Sequence, residues 1–200
     1  MKIARIRKSD RETYGLVQDG NIATKDDITY ATAVPIPINV RDFLFDGWIK
    51  EIKANFDAKD IELANHPTKD LGKRTVSVNE TVLISGSDAE EIKEGETIRL
   101  LGLGVIKINS VANEITAEIT DSTGAEKKIQ WVAENDATEI KIIIPGQLFD
   151  GEKFNEDSLK TIKVLTESAY LDLKDDSEIQ FVRFGYCRKE SGHQTIFTHK

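Results

Sequence analysis

The sequence is poor in cysteine, proline and long apolar runs, and it has no excess of positive charge. Its single cysteine, Cys187, excludes an internal disulfide and any zinc site built from several thiolates. Four prolines and no long polar tract leave little room for an extended flexible linker. No apolar stretch approaches the roughly 18 residues that a membrane-spanning helix needs. Met1-Lys2-Ile3-Ala4-Arg5 runs straight into further charged residues, without the apolar stretch of a secretory signal. There are 27 Lys+Arg against 35 Asp+Glu, a net charge of -8. A uniformly acidic chain is repelled by phosphate backbones, so composition argues against non-specific binding to DNA or other nucleic acid. The expectation is a soluble cytoplasmic protein with no membrane partner.

What is present suffices for a packed core. The 39% hydrophobic fraction falls below the globular average of roughly 45–50%, but that average counts glycine, and 13 Gly close most of the gap. Two hundred residues make one ordinary domain or two small ones. Charge is unevenly spread. Residues 1–57 hold nine basic and nine acidic groups, whereas 134–178 hold twelve acidic and five basic. Residues 183–200 reverse the sign: Arg183, Arg188, Lys189 and Lys200 stand against Glu190 alone. Such an asymmetry permits an anion-binding face on an acidic protein, although a solvated basic tail has the same composition.

Periodicity divides the chain near residue 56. Lys2–Arg7 and Thr13–Val17 alternate with period two, and Asp19-Gly20 is a hairpin turn signal before Asn21–Thr24. Pro35-Ile36-Pro37 interrupts regular structure. Asn39 then suits a helix N-cap, and Phe43, Leu44, Trp48, Ile49 and Ile52 recur at helical spacing. Residues 1–56 are thus expected to form a small α+β unit, too small to be more than marginally stable alone. From residue 57 strands dominate: Arg74–Ile84, Thr97–Leu103, Val105–Ile108, Glu114–Thr120, Lys127–Val132 and Glu139–Ile144. Ser87 and Glu90 match a capping box that opens a short helix through Ile92. Many short strands between turns point to a mainly β fold of barrel or sandwich type over residues 57–200.

Catalytic motifs fail when tested. Gly102-Leu103-Gly104 would need glycine where Lys107 stands to make a dinucleotide loop, and no phosphate loop of the G-x-x-x-x-G-K-[ST] type occurs. His66, His193 and His199 have no ligand spacing, and Glu94-Gly95-Glu96 is a solvent-facing pair at a helix stop. Cys187, beside Phe184 and Tyr186, reads as a small core thiol. No catalytic residue, metal ligand or cofactor is therefore assigned.

Three segments combine cations with hydrogen-bonding or aromatic groups: His66–Arg74, Lys127–Val132 and Gln180–Tyr186. The last is expected to be one strand, in which Gln and Arg can bond base edges and aromatics can stack on unpaired bases. From about Ile61 the chain resembles the C-terminal anticodon-binding domain of archaeal-type glutamyl-tRNA synthetases and the related glutaminyl enzymes. The landmarks stand in family order: Asn65-His66-Pro67 with Leu71-Gly72-Lys73-Arg74, then Val82-Leu83-Ile84-Ser85 with the capped helix. Gly95–Leu100, Ile129-Gln130-Trp131-Val132, and Gln180-Phe181-x-Arg183-Phe184-Gly185 with Thr198-His199-Lys200 complete the series. The resemblance implies two packed β-barrels gripping an anticodon loop. It implies that Gln180 and Arg183 read the middle anticodon base and that Arg99 contacts the first. This sequence has Leu101 where some glutaminyl members carry a second arginine. Lys73, Arg74, Lys127 and Lys128 are the cations nearest these landmarks and are expected to contact RNA. For an acidic chain to bind, the basic groups of 66–74, 127–128 and 183–189 should share one face.

Met1–Arg7, Tyr14-Gly15-Leu16-Val17 and Pro35–Leu44 resemble the N-terminal region of the fumarylacetoacetate hydrolase family. The alternative reading is accordingly a fragment or inactive member of that family, acting as a binding or structural protein. The leading expectation is a binding module for the tRNA(Glu) anticodon stem-loop, served by a separate catalytic synthetase chain.

Overall fold

Alternating apolar and polar side chains bury one face of a strand and leave the other wet, and that pattern organises most of this molecule. The computed structural model describes residues 2–8, 11–18, 21–23, 39–41, 43–45, 49–54, 56 and 58–200. Internal contacts divide the chain into two compact units, Met1–Pro37 and Ile38–Lys200. In the first, β1 (Lys2–Lys8), β2 (Arg11–Gln18) and β3 (Asn21–Ala23) form an antiparallel sheet in that order. These strands follow the period-two pattern. Asp19-Gly20, Pro35-Ile36-Pro37 and Trp48 lie outside the described residues.

The helix expected from Asn39 to Ile52 is replaced by three strands, β4 (Asn39–Arg41), β5 (Phe43–Phe45) and β6 (Ile49–Ala54). Helical spacing misleads here because each strand answers to a different distant partner. β4 pairs with residues 179–181, β5 with 164–166, and β6 with 81–85 and 115–117. Ile52 and Ala54 are buried two positions apart, as strand periodicity requires.

Next come the hairpin of β7 (Lys59–Ala64) and β8 (Lys73–Val78), then β9 (Thr81–Ser85) and the short helix α1 (Gly86–Glu90). The helix N-cap is Ser85, not Ser87. Asp88 N–H donates to Ser85 Oγ at 3.2 Å, so a Ser-x-x-Asp box two residues upstream of the expected one is used. The strands β10 (Thr97–Leu100), β11 (Gly104–Ser110), β12 (Ile115–Thr120), β13 (Lys127–Ile129) and β14 (Val132–Ala133) follow.

One seven-stranded sheet has the order β13-β10-β11-β12-β6-β9-β14. Its first and last strands are separated in sequence only by Gln130 and Trp131. A flat sheet of this width would hold its ends roughly 29 Å apart at about 4.8 Å per strand, whereas that link spans about 11 Å at most. The sheet is therefore strongly curled. The expected Lys127–Val132 strand is broken because this link carries the chain between the sheet's ends. Trp131 is buried at the join, its Nε1–H donating to the Leu101 carbonyl at 2.8 Å. Ile52, Ile84, Ile98, Leu100, Ile106 and Ile129 fill the concave side.

The second seven-stranded sheet adds β15 (Ala137–Pro145), β18 (Leu159–Glu167), β19 (Glu178–Phe181), β20 (Gly185–Lys189) and β21 (Gln194–His199), in the order β4-β19-β20-β21-β15-β18-β5. A small hairpin, β16 (Phe149–Asp150) with β17 (Lys153–Phe154), lies between β15 and β18 in sequence. Ile140, Ile142, Val164, Tyr170, Ile179 and Phe181 form a separate core. Leu83 and Val132 of the first sheet meet Leu44 and Leu165 of the second in a third cluster, so β9 is buried on both faces. The described chain is mainly β.

Candidate nucleic-acid interface

Gln180–Tyr186 is not one strand but the end of a hairpin. β19 stops at Phe181, Val182-Arg183-Phe184 turn, and β20 starts at Gly185, with Gln180 opposite Tyr186. Phe184 N–H donates to the Phe181 carbonyl at 3.1 Å. Arg183, the third residue of the four-residue turn Phe181–Phe184, has φ 64°. Left-handed backbone at this position normally takes glycine, and strain of this kind clusters at functional sites. The turn removes any simple face alternation between Gln180 and Arg183. Gln180 stays half-buried on the strand, while Arg183 projects from the exposed tip.

The tip meets α1. Arg183 Nη1 donates to Asp88 Oδ2 at 2.8 Å and Oδ1 at 3.1 Å, and Nη2 donates to Oδ1 at 3.1 Å. Ser85 Oγ–H donates to Asp88 Oδ2 at 2.7 Å. Burial pushes the Asp88 carboxyl upward, but the bonds from Arg183 and Ser85 outweigh it and hold the group below its ordinary range. The same bond raises Arg183 further above its ordinary value.

Lys127 reaches this cluster from β13. Its Nζ lies 3.4 Å from Glu91 Oε2, and its charge also favours the Asp88 carboxylate. β13 runs parallel to β10, in register Ile98↔Lys127 and Arg99↔Lys128. Exposed Lys128 and half-buried Arg99 therefore sit side by side, with no ion-pair or side-chain hydrogen-bond partner among the described residues. The structure thus brings Arg183 and Lys127 together around Asp88 and Glu91. Lys128 and Arg99 form a second cationic pair on the opposite face of β13 and β10, because Lys127 and Ile129 share the side of buried Ile98 and Leu100.

Lys73 and Arg74 belong elsewhere, on the β7–β8 hairpin. Lys73 is exposed and its Nζ pairs with Glu62 at 2.8 Å, which raises its pKa. Arg74 is not at the surface: its Nε lies 2.5 Å from Glu167 Oε1, with side chains 7% and 4% exposed. Nor do residues 183–189 present one basic face. Arg188 pairs with Glu190 at 2.6 Å, and buried Lys189 donates to the Leu171 and Leu173 carbonyls beneath the Tyr170 ring. Local carboxylates and carbonyls at the strand ends absorb these cations. His66 organises its loop, with Nδ1 accepting from Thr68 and Lys69 N–H.

Two features were missed by sequence reasoning. Asp88 carries a Ser-x-x-Asp capping signal, but nothing in sequence links it to Arg183. Tyr186, on the β20 side of the β19–β20 hairpin, stacks on His199, with ring centroids 4.6 Å apart and planes at 10°. Among the described residues no cluster of His, Cys, Asp and Glu suits a metal ion, and no helix is long and apolar enough to cross a membrane.

Comparison with known families matches residues 32–125 and residues 128–190 to two anticodon-binding domains of class I (E and Q) tRNA synthetases. The chain is similar to the glutamate–tRNA ligase of Nitrosopumilus maritimus, 53% identical over 148 residues that cover 73% of this chain and 26% of that protein. It is 43% identical over 141 residues to the Cenarchaeum symbiosum glutamate–tRNA ligase, covering 69% and 25%. For that of Methanococcoides burtonii the figures are 32% over 145 residues, covering 68% and 22%. The chain spans about a quarter of the length of these relatives.

Proposed function

The chain belongs to the anticodon-binding-domain family of class I glutamyl and glutaminyl tRNA synthetases, and we propose from that membership that it binds the anticodon arm of tRNA(Glu). The matched region is the anticodon-binding part of these enzymes and not their catalytic core. Glutamate specificity is favoured over glutamine because the relatives at 53% and 43% identity are glutamate–tRNA ligases. In this reading Arg183 and Gln180 read the middle base, Arg99 meets the first, and Lys127 and Lys128 hold phosphates, with Lys73 a more distant contact. Arg74 supports the β7–β8 hairpin from within. Aminoacylation would require a catalytic domain beyond this region or on a separate chain, and the small N-terminal unit is an appendage to the module.

Each seven-stranded sheet would be one barrel of a packed pair. The two-residue link between the end strands β13 and β14 supports this for the first. The one-residue link between the end strands β4 and β5 supports it for the second.

The observation that carries the proposal is a set of local cations in a chain of net charge -8: Arg183 and Lys127 meet around α1, and Lys128 and Arg99 sit side by side on the outer face of the adjoining β13–β10 pair. Such a local patch can bind a polyanion despite an acidic total. Filter binding with a tRNA(Glu) transcript and an anticodon-substituted control tests it. Tighter, salt-sensitive binding of the natural anticodon is expected; equal affinity for both RNAs would overturn the assignment.

A further inference from the structure

We propose that Asp88 is a positioning residue that sets the Arg183 guanidinium for base reading, an inference that rests on the assignment of Arg183 to an anticodon base. An arginine on an exposed turn would ordinarily sample many rotamers and lose that freedom on binding. Here the fork is already fixed. The Asp88 carboxylate takes the end of the guanidinium through Nη1 and Nη2 at 2.8–3.1 Å.

The anchor is itself held. Asp88 Oδ2 accepts from Ser85 Oγ at 2.7 Å, and Asp88 N–H donates back to Ser85 Oγ at 3.2 Å. The carboxylate side chain is 10% exposed while that of Arg183 is 57% exposed. One partner faces inward and the other outward, as an anchor and a reading head would.

A guanidinium has five N–H donors in a rigid plane. With its Nη1/Nη2 end engaged, the edge formed by Nε–H and the second Nη2 hydrogen remains, and Nε makes no hydrogen bond among the described residues. The middle anticodon base of tRNA(Glu) pairs with the central A of its codons and is uracil, so this edge can direct both N–H groups at one carbonyl oxygen of that base. Asp88 would thus act through Arg183 without touching RNA.

The test measures affinity of the full chain and four variants for anticodon stem-loops with the natural or a substituted middle base. The variants are Arg183→Ala, Arg183→Lys, Asp88→Asn and the double Asp88→Asn/Arg183→Ala. Asp88→Asn should lower discrimination between the loops about 10- to 100-fold, the range of a lost charge-assisted hydrogen bond, and leave the salt slope unchanged. The double variant should be no worse than Arg183→Ala, as expected of two residues acting as one unit. Arg183→Lys, which leaves Asp88 untouched, should keep the charge and lose the discrimination.

Discrimination that survives Asp88→Asn or Arg183→Lys but disappears in Arg183→Ala would overturn the positioning role alone. Tighter binding of every loop by Asp88→Asn would overturn it too, by showing Asp88 to be a competitor that RNA displaces. If Arg183→Ala leaves discrimination intact, the reading of Arg183 itself falls, and this inference with it.

Discussion

Arg74 and Arg183 carry the same charge but have opposite surroundings. The Arg74–Glu167 pair is almost wholly withdrawn from water, with side chains 7% and 4% exposed. Two desolvated charges hold one another neutral, so removing one leaves the other uncompensated. Glu167→Gln should cost about 3–5 kcal/mol, read as a lower urea midpoint at unchanged m-value; an unaltered midpoint would show that water reaches the pair. Cys187 gives a second residue-scale expectation. Burial pushes its thiol up to about 12, so at neutral pH it is protonated and shielded. It should resist a thiol-disulfide reagent in native buffer and react in denaturant. Rapid native labelling would place the sulfur at the surface.

At the scale of elements, the β19–β20 hairpin depends on Gly185. A Cβ there would lie 2.6 Å from the His199 carbonyl oxygen and 2.7 Å from the Phe197 ring, at φ 152°. Backbone cannot yield as a flexible side chain can. Gly185→Ala should therefore destabilise by roughly 1–3 kcal/mol, a fall in Tm of about 2–12 °C for a protein this size. An unchanged melt would mean that β21 moves aside freely. Elements of this sort divide by what fixes them. β10 and β15 were legible because their own alternation determines which face is buried, and the first-unit strands because their sequence alternates with period two. β4, β5 and β6 were not, since their partners lie far along the chain and their apolar residues imitate a helical stripe. The break at Gln130-Trp131 was hidden for the same reason: sheet curvature is a property of the whole sheet. Of the candidate site, the cations and the hairpin segment were legible as residues. Their grouping was not, because Arg183 meets Asp88 only through packing of two separate sheets.

For the whole molecule, net charge and binding charge are different quantities. The -8 total produces a weak repulsive field at distance, whereas RNA affinity is set by cations that touch phosphates within a Debye length of roughly 8 Å at physiological salt. In the proposed complex two groups fill that role, Lys127 and Lys128 of β13. Releasing counterions from about two phosphates gives a slope of log K against log[salt] near -1.5 to -2. Each single alanine variant at Lys127 or Lys128 should shallow that slope by nearly one and weaken natural and substituted anticodon loops alike, because phosphate contacts carry no sequence information. Removing acidic charge at Asp150 and Glu152, exposed residues of the β16–β17 hairpin region, should leave the slope unchanged, because the acidic total acts only as a screened field. Titrating stem-loop binding across a salt series for these variants reads both effects. A slope that stays fixed in Lys127→Ala and Lys128→Ala would remove β13 from the interface and leave the acidic surface without a compensating patch.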